Sequence, residues 1–227
     1  MRIEGWTFGG GTVLMRRYVH RVSNDIDIFL PDPQYLGHLS PRLNATVESL
    51  TSSYVEQAGF LKLRFPEGEI DFIVAAPLTA NPARTERILE RDMSVETTAE
   101  ILAKKIWHRA AVFSARDILD FAVIAEREPG VLDQISGILA ARYAMLLARF
   151  DEREQTLREQ FAALDTIGVQ PGYDECVEEI ASALARASRA TPPRVAQRGA
   201  GYCVTGSPHS RGGHDIRAMR LQSLATA

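Results

Sequence analysis

Cysteine is scarce. The 227 residues hold two, Cys176 and Cys203, too few to suggest a disulfide framework, so both read as free thiols. Long apolar runs are also missing. No stretch approaches the ~20 consecutive apolar residues that cross a bilayer, and the N-terminus lacks the charged-then-apolar layout of a signal peptide. The expectation is a cytoplasmic protein without membrane contact. Excess charge of one sign is absent too: the formal net charge is −3, which argues against a chain that coats nucleic acid non-specifically. Disorder across the whole chain is excluded, because 45% hydrophobic and 24% charged residues at this length support one domain or two small ones.

What is present divides the chain in three. Residues 1–90 mix short apolar runs with turn signals and read as an α/β domain; residues 91–189 read almost wholly as helix, with the boundary near 81–94. Strands are expected at Trp6–Phe8, Ile26–Leu30, Phe60–Phe65 and Glu69–Ala75, the last two forming a hairpin about Pro66-Glu67-Gly68. Helices are expected at Thr12–His20 and Tyr35–Thr51, then at Thr97–Phe113, Arg116–Glu126, Val131–Phe150, Glu152–Leu164 and Tyr173–Arg189. In the last, Val177, Ile180, Ala181 and Leu184 keep the spacing of a packing face. Residues 190–227 carry Pro192-Pro193, five glycines, five arginines and one acid, and read as a disordered basic tail. Cys203, His209 and His214 in that tail lack a fourth metal ligand and a folded setting.

The chemistry concentrates near the start. Gly9-Gly10-Gly11-Thr12 is followed by Asn24-Asp25-Ile26-Asp27-Ile28-Phe29. On a strand, residues i and i+2 share a face, so Asp25 and Asp27 point one way while Ile26 and Ile28 point the other, into a core. Paired carboxylates without an intervening base repel each other, an arrangement that suits Mg²⁺ or Mn²⁺. A turn passing close to a triphosphate needs residues without side chains, and the following helix aims its free N–H groups at the anion. Gly10 and Gly11 fit that role, and the Thr12 hydroxyl adds a donor. A tight turn into a helix is the plainer explanation of three glycines; the order strand, Gly-Gly-Thr, helix, Asp-x-Asp strand favours the site. A third carboxylate is expected at Asp71, between Ile70 and Phe72, although an acid so flanked also suits the open face of a half-buried sheet.

Further along, Lys105 borders the buried stripe of its helix and Arg109 lies one turn on, so both can reach a cleft. The plainer reading is two solvated bases. Ser114-x-x-Asp117 has the form of a capping box, which would need Asp117 for stability alone. Asp120 follows one turn later. Arg16, Arg17, His20 and Arg21 form a basic cluster that suits phosphate or an RNA backbone, or a solvated helix face.

These residues carry a family resemblance. Phe8-Gly-Gly-Gly-Thr-Val-Leu14, then His20-Arg-Val-Ser-Asn-Asp-Ile-Asp-Ile-Phe29, resembles the start of the AbiEii/AbiGii abortive-infection toxins, which belong to the DNA polymerase beta-like nucleotidyltransferases. Ile101-Leu-Ala-Lys-Lys-Ile106 and Ser114-Ala-Arg-Asp-Ile-Leu-Asp-Phe121 are similar to the family's lysine motif and Arg-Asp-x-x-Asp motif. Family members bring helical sequence ahead of the first strand, whereas eight residues precede Gly9 here.

The resemblance implies an α/β (α+β) fold with a small mixed sheet of polymerase beta type, followed by a helical domain. It implies an enzyme that moves an NMP group from an NTP to an acceptor, RNA and specifically tRNA, as the toxin of a type IV toxin–antitoxin or phage-defence system with a cognate antitoxin. Asp25, Asp27 and Asp71 would be the metal ligands and, with Lys105 and Asp117, the catalytic set. Gly10, Gly11, Thr12, Lys105 and Arg109 would bind nucleotide, with Lys105 contacting phosphate, and Asp117 would be functional. Three alternatives share these residues: a small-molecule, antibiotic-type nucleotidyltransferase, a nucleotide- or RNA-binding module without turnover, and a purely structural role for the aspartates.

Overall fold

A computed structural model describes residues 3–168 and 171–190. The expected basic tail, with Cys203, His209 and His214, lies outside the described residues, except for Ala190. Strand β1 (Thr7–Gly9) runs straight into helix α1 (Gly10–Tyr18), and β2 (Ile26–Leu30) returns antiparallel beside β1, pairing Gly9 with Asp27. Helices α2 (Gln34–Leu39) and α3 (Ala45–Glu48) precede β3 (Tyr54–Gln57), β4 (Phe60–Phe65) and β5 (Gly68–Val74). A hairpin of β6 (Ala83–Ile88) and β7 (Arg91–Glu96) follows. All seven strands form one mixed sheet in the order β3-β4-β5-β2-β1-β7-β6, with β2 parallel to β5 and β1 parallel to β7.

The sheet extends further than composition suggested. Residues 81–94, read as a boundary, include β6 and most of β7, and the turn into the helical layer comes at Thr97, whose side chain caps α4 (Thr98–Arg109) by accepting from the Glu100 N–H. The single helix expected over Tyr35–Thr51 is broken at Ser40-Pro41. Proline disfavours helix at the residue before it, and α3 restarts where Asn44 accepts from the N–H groups of Thr46 and Val47.

After a 3-10 turn at Ala110–Val112, helices α5 (Ala115–Arg127), α6 (Gly130–Gln134), α7 (Ser136–Glu152), α8 (Glu154–Ala162) and α9 (Tyr173–Ala190) complete the layer. The expected Val131–Phe150 helix is thus two, parted at Ile135. The main core joins Val13 and Leu14 of α1 and Val95 of β7 to Leu102, Ile118, Phe121 and Ile180 of the helices, so the helical half and one face of the sheet share one apolar interior. Full burial of side chains of this size is worth roughly 1.5–3 kcal/mol each. A smaller cluster of Leu30, Leu36, Leu61 and Leu63 covers the opposite face. Alternation along β2 and β4 therefore turns Asp27 and Lys62 toward the helices while their neighbours fill this second cluster. Among the described residues, no helix is long and apolar enough to cross a membrane.

Candidate active site

A cleft of about 470 Å³ opens between the acid-bearing face of the sheet and helices α4 and α5; Gly10, Gly11, Asp25, Asp27, Asp71, Lys105, Arg109 and Asp117 all line it. Its size falls within the usual range for small-molecule sites.

The glycines are required by the side chains packed beside them, Asp27 against Gly10 and Arg21 with Ser23 against Gly11. Gly10 has φ +71°, and a Cβ there would come 1.8 Å from Asp27 Oδ2. The Gly11 N–H donates to Asp27, so the first turn of α1 is directed at that carboxylate. Thr12 behaves differently from expectation. Its hydroxyl donates to the Asp25 carbonyl and lies 3.1 Å from Ser23 Oγ, and it is not part of the cleft lining; it fastens the turn that carries Asp25.

Asp27 and Asp71 are register partners on the parallel strands β2 and β5. Burial raises the Asp27 pKa, Asp71 and Asp25 raise it further, and Lys105 and the Gly11 N–H oppose them. Asp71 is likewise raised by burial, against the pull of Lys62. Lys62, on β4, lies 3.1 Å from Asp71 Oδ2 and also pairs with Glu69, whereas Asp71 Oδ1 is buried without a hydrogen-bond partner. Asp25 precedes β2 instead of lying on it, and one of its oxygens is 3.7 Å from Arg116 Nη1. Ile26 is accordingly 38% exposed instead of core. Among the described residues, no three acidic, histidine or cysteine side chains converge as a metal-binding cluster. Two of the three aspartates lean toward cations of the protein.

The opposite wall is a buried ion network. Lys105 Nζ is 2.6 Å from Asp117 Oδ1 and 3.1 Å from Asp120 Oδ2. Arg109 Nε donates to Asp117 Oδ2 at 3.2 Å. Asp117 also completes the capping box, accepting from the Ser114 N–H and hydroxyl at 3.0 and 2.8 Å, so the cap and the cleft contact are one carboxylate doing both. Burial pushes Asp117 up, but Lys105 and Arg109 hold it down to about 2. Asp120 is also pushed up by burial, and Lys105, Arg21 and His20 hold it far below the usual carboxylate range. Burial lowers the Lys105 pKa, and the two aspartates more than reverse that.

The basic cluster between glycines and aspartates is mostly internal. Arg21 grips Asp120 through Nε and Nη2 at 2.7 and 2.8 Å, and His20 Nε2 meets it at 2.7 Å. Arg17 donates to Glu86 and to the Glu96 carbonyl; Arg16 stays exposed. Lys62, whose partners lie on the adjoining hairpin strand, Arg116, whose partner is distant in sequence, and Lys104 were not singled out from the sequence. Lys104 lines the cleft, 2.5 Å from the buried Glu96 and 3.8 Å above the Phe29 ring. The apolar-basic alternation Leu61-Lys-Leu-Arg64 was the available signal for Lys62.

Comparison with curated proteins finds no match. Among solved structures, the chain is similar to ANT(2″)-Ia in complex with adenylyl-2″-tobramycin, at 16% identity and a TM-score of 0.42, over 62% of this chain and 86% of that one. The family model described as nucleotidyl transferase AbiEii toxin, type IV TA system, matches residues 3–196. With that match over most of its length, this chain belongs to the AbiEii nucleotidyl transferase toxins of type IV toxin–antitoxin systems and is a nucleotidyltransferase.

Proposed function

We propose that this cleft moves a nucleoside monophosphate from an NTP onto RNA, with tRNA the acceptor class, in the cytoplasm, and that a cognate antitoxin restrains it. One observation carries the reading: Asp27 and Asp71 stand side by side on β2 and β5, facing a basic helical wall across a cleft that the glycine turn also lines.

Asp25, Asp27 and Asp71 suit Mg²⁺ or Mn²⁺. The donors are hard oxygens, Asp71 Oδ1 is buried and unpartnered, and burial together with the like charges of Asp71 and Asp25 raises the Asp27 pKa, which a divalent cation would offset. The bound ion would supply charge for the phosphoryl oxygens and a more acidic acceptor hydroxyl. The remaining tasks fall to the protein. Gly10 and Gly11 line the end of the cleft that takes the triphosphate, and Arg109, about half exposed, donates to its oxygens. Lys105 contacts phosphate while Asp117 and Asp120 hold its ammonium charged and aimed. Asp71 takes the proton of the attacking hydroxyl or helps hold the ion.

The test is incubation of the purified protein with each labelled NTP, Mg²⁺ or Mn²⁺, and either total tRNA or aminoglycosides. Label on tRNA that disappears in Asp25→Ala and Asp27→Ala is the expected result. Label confined to the aminoglycoside would overturn the RNA reading, and no NTP consumption at all would overturn turnover.

A further inference from the structure

Lys62 belongs to none of the roles assigned so far, yet it touches one of the three acids. It stands on β4 directly across from Asp71, and Arg64 stands across from Glu69. On this face of the hairpin, Arg64 Nε is 3.2 Å from Glu69, Lys62 reaches both Glu69 and Asp71, and Arg64 is about half exposed. An exposed cross-strand ladder needs only the Arg64–Glu69 pair. The contact from Lys62 goes deeper, to a side chain that is 19% exposed. It takes one carboxylate oxygen, Oδ2, and leaves Oδ1 buried with no partner. Buried acceptors without partners are rare, and a carboxylate held by one oxygen has lost the freedom to turn the other away.

Position in the sheet says which half of the reaction this affects. The order β4-β5-β2-β1 sets the Gly10–Gly11 turn, which follows β1, at one end of the acid row and Lys62 at the other. Within the same cleft, Lys62 therefore stands three strands from the glycine turn and beside Asp71, the acid that takes the hydroxyl proton or helps hold the ion.

We infer that Lys62 is a positioning residue that fixes the Asp71 carboxylate by Oδ2 and presents Oδ1 to the acceptor side of the transfer, so that it governs turnover and not NTP affinity. This rests on the reading of the cleft given above. The test compares steady-state transfer to tRNA by Lys62→Met, Lys62→Arg, Asp71→Asn and the Lys62→Met/Asp71→Asn double variant, with thermal unfolding of each. Lys62→Met should lower kcat by roughly 10- to 100-fold, the scale of a weakened acid–base contribution, with the NTP KM held within about twofold. Lys62→Arg should recover most of the loss. The double variant should be no slower than Asp71→Asn, because a residue acting only through Asp71 has nothing left to position. The inference is overturned if Lys62→Met raises KM at unchanged kcat, or if the two losses multiply in the double variant. If Lys62→Met does not fold, Lys62→Gln is read against the same outcomes. A wild-type protein that labels no acceptor overturns the underlying reading, and this inference with it; an active wild type with an unaffected Lys62→Met overturns this inference alone.

Discussion

Asp27 and Asp71 occupy paired positions on neighbouring parallel strands, and burial raises the pKa of both. Two carboxylates placed so close without a shared cation lower the stability of the fold that holds them. Their cost is offset locally: the Gly11 N–H and the field of Lys105 act on Asp27, and Lys62 acts on Asp71. The fold thus carries a cluster of acids that stability alone would not select, which is the mark of a site.

Gly10→Ala should be severely damaging. The added Cβ would lie 1.8 Å from Asp27 Oδ2 at φ +71°, so the variant takes on left-handed strain of roughly 1–2 kcal/mol and displaces the carboxylate as well. Urea unfolding should show at least that loss. Transfer activity should fall by about 100-fold or more, the size of effect that a misplaced catalytic group produces. An active, stable Gly10→Ala protein would contradict the geometry of the turn.

Thr12→Val should separate fastening from binding. Since Thr12 bonds the Ser23–Asp25 turn and does not line the cleft, stability should drop by about 1 kcal/mol while the NTP KM stays within about twofold. A selective rise in KM would return Thr12 to the phosphate site.

Acid should weaken the fold through Asp117. Its folded pKa is depressed to about 2 from 3.8, so its contribution is fully present above the unfolded value and is lost as pH falls through 3.8 toward 2. The linked free energy is on the order of 2 kcal/mol. Chemical denaturation from pH 5 down to pH 2 should show this decline, and Asp117→Asn should be less stable at pH 5 with a shallower acid limb. An unchanged limb would mean that Lys105 and Arg109 do not hold Asp117 as described.

Removing Arg21 should unfold more than it deactivates. Arg21 makes a two-point contact with the fully buried Asp120, and stripping one partner from a buried pair costs about 3–5 kcal/mol. Arg21→Met should lose part of that by denaturant titration, since Lys105 and His20 still face Asp120, and Asp120→Asn in the same background should recover some of the loss.

Local pattern made the central part of this architecture legible. Strand β2 matches its expected bounds at both ends, and β4 does so too, because alternation and flanking proline or glycine are short-range signals. The β6–β7 hairpin was opaque because its turn residues, Leu89 and Glu90, adopt positive φ, a conformation that hairpins usually announce with Asn or Gly. In the candidate site, Gly10, Gly11, Asp25, Asp27, Asp71, Lys105, Arg109 and Asp117 all line one cleft, although the three aspartates do not close into a metal-binding cluster. Thr12 does not line it, since a hydroxyl beside a glycine turn satisfies a backbone carbonyl as well as it would a phosphate. Lys62 was within reach, since the expected hairpin places it across from Asp71, whereas nothing local says that Arg116 on α5 meets an acid just before β2. Asp117 was posed as cap or functional acid; one carboxylate with two oxygens accommodates both the cap and the lysine contact.

The paired aspartates are proposed to run the nucleotidyl transfer. The most direct measurement is transfer of label from an NTP to tRNA by wild type and Asp27→Asn, a substitution that keeps the shape and removes the charge, with both proteins shown to be folded. Loss of transfer by about 100-fold or more, with thermal stability equal to or above wild type because like-charge repulsion is relieved, is the predicted result. Full transfer by Asp27→Asn would contradict it.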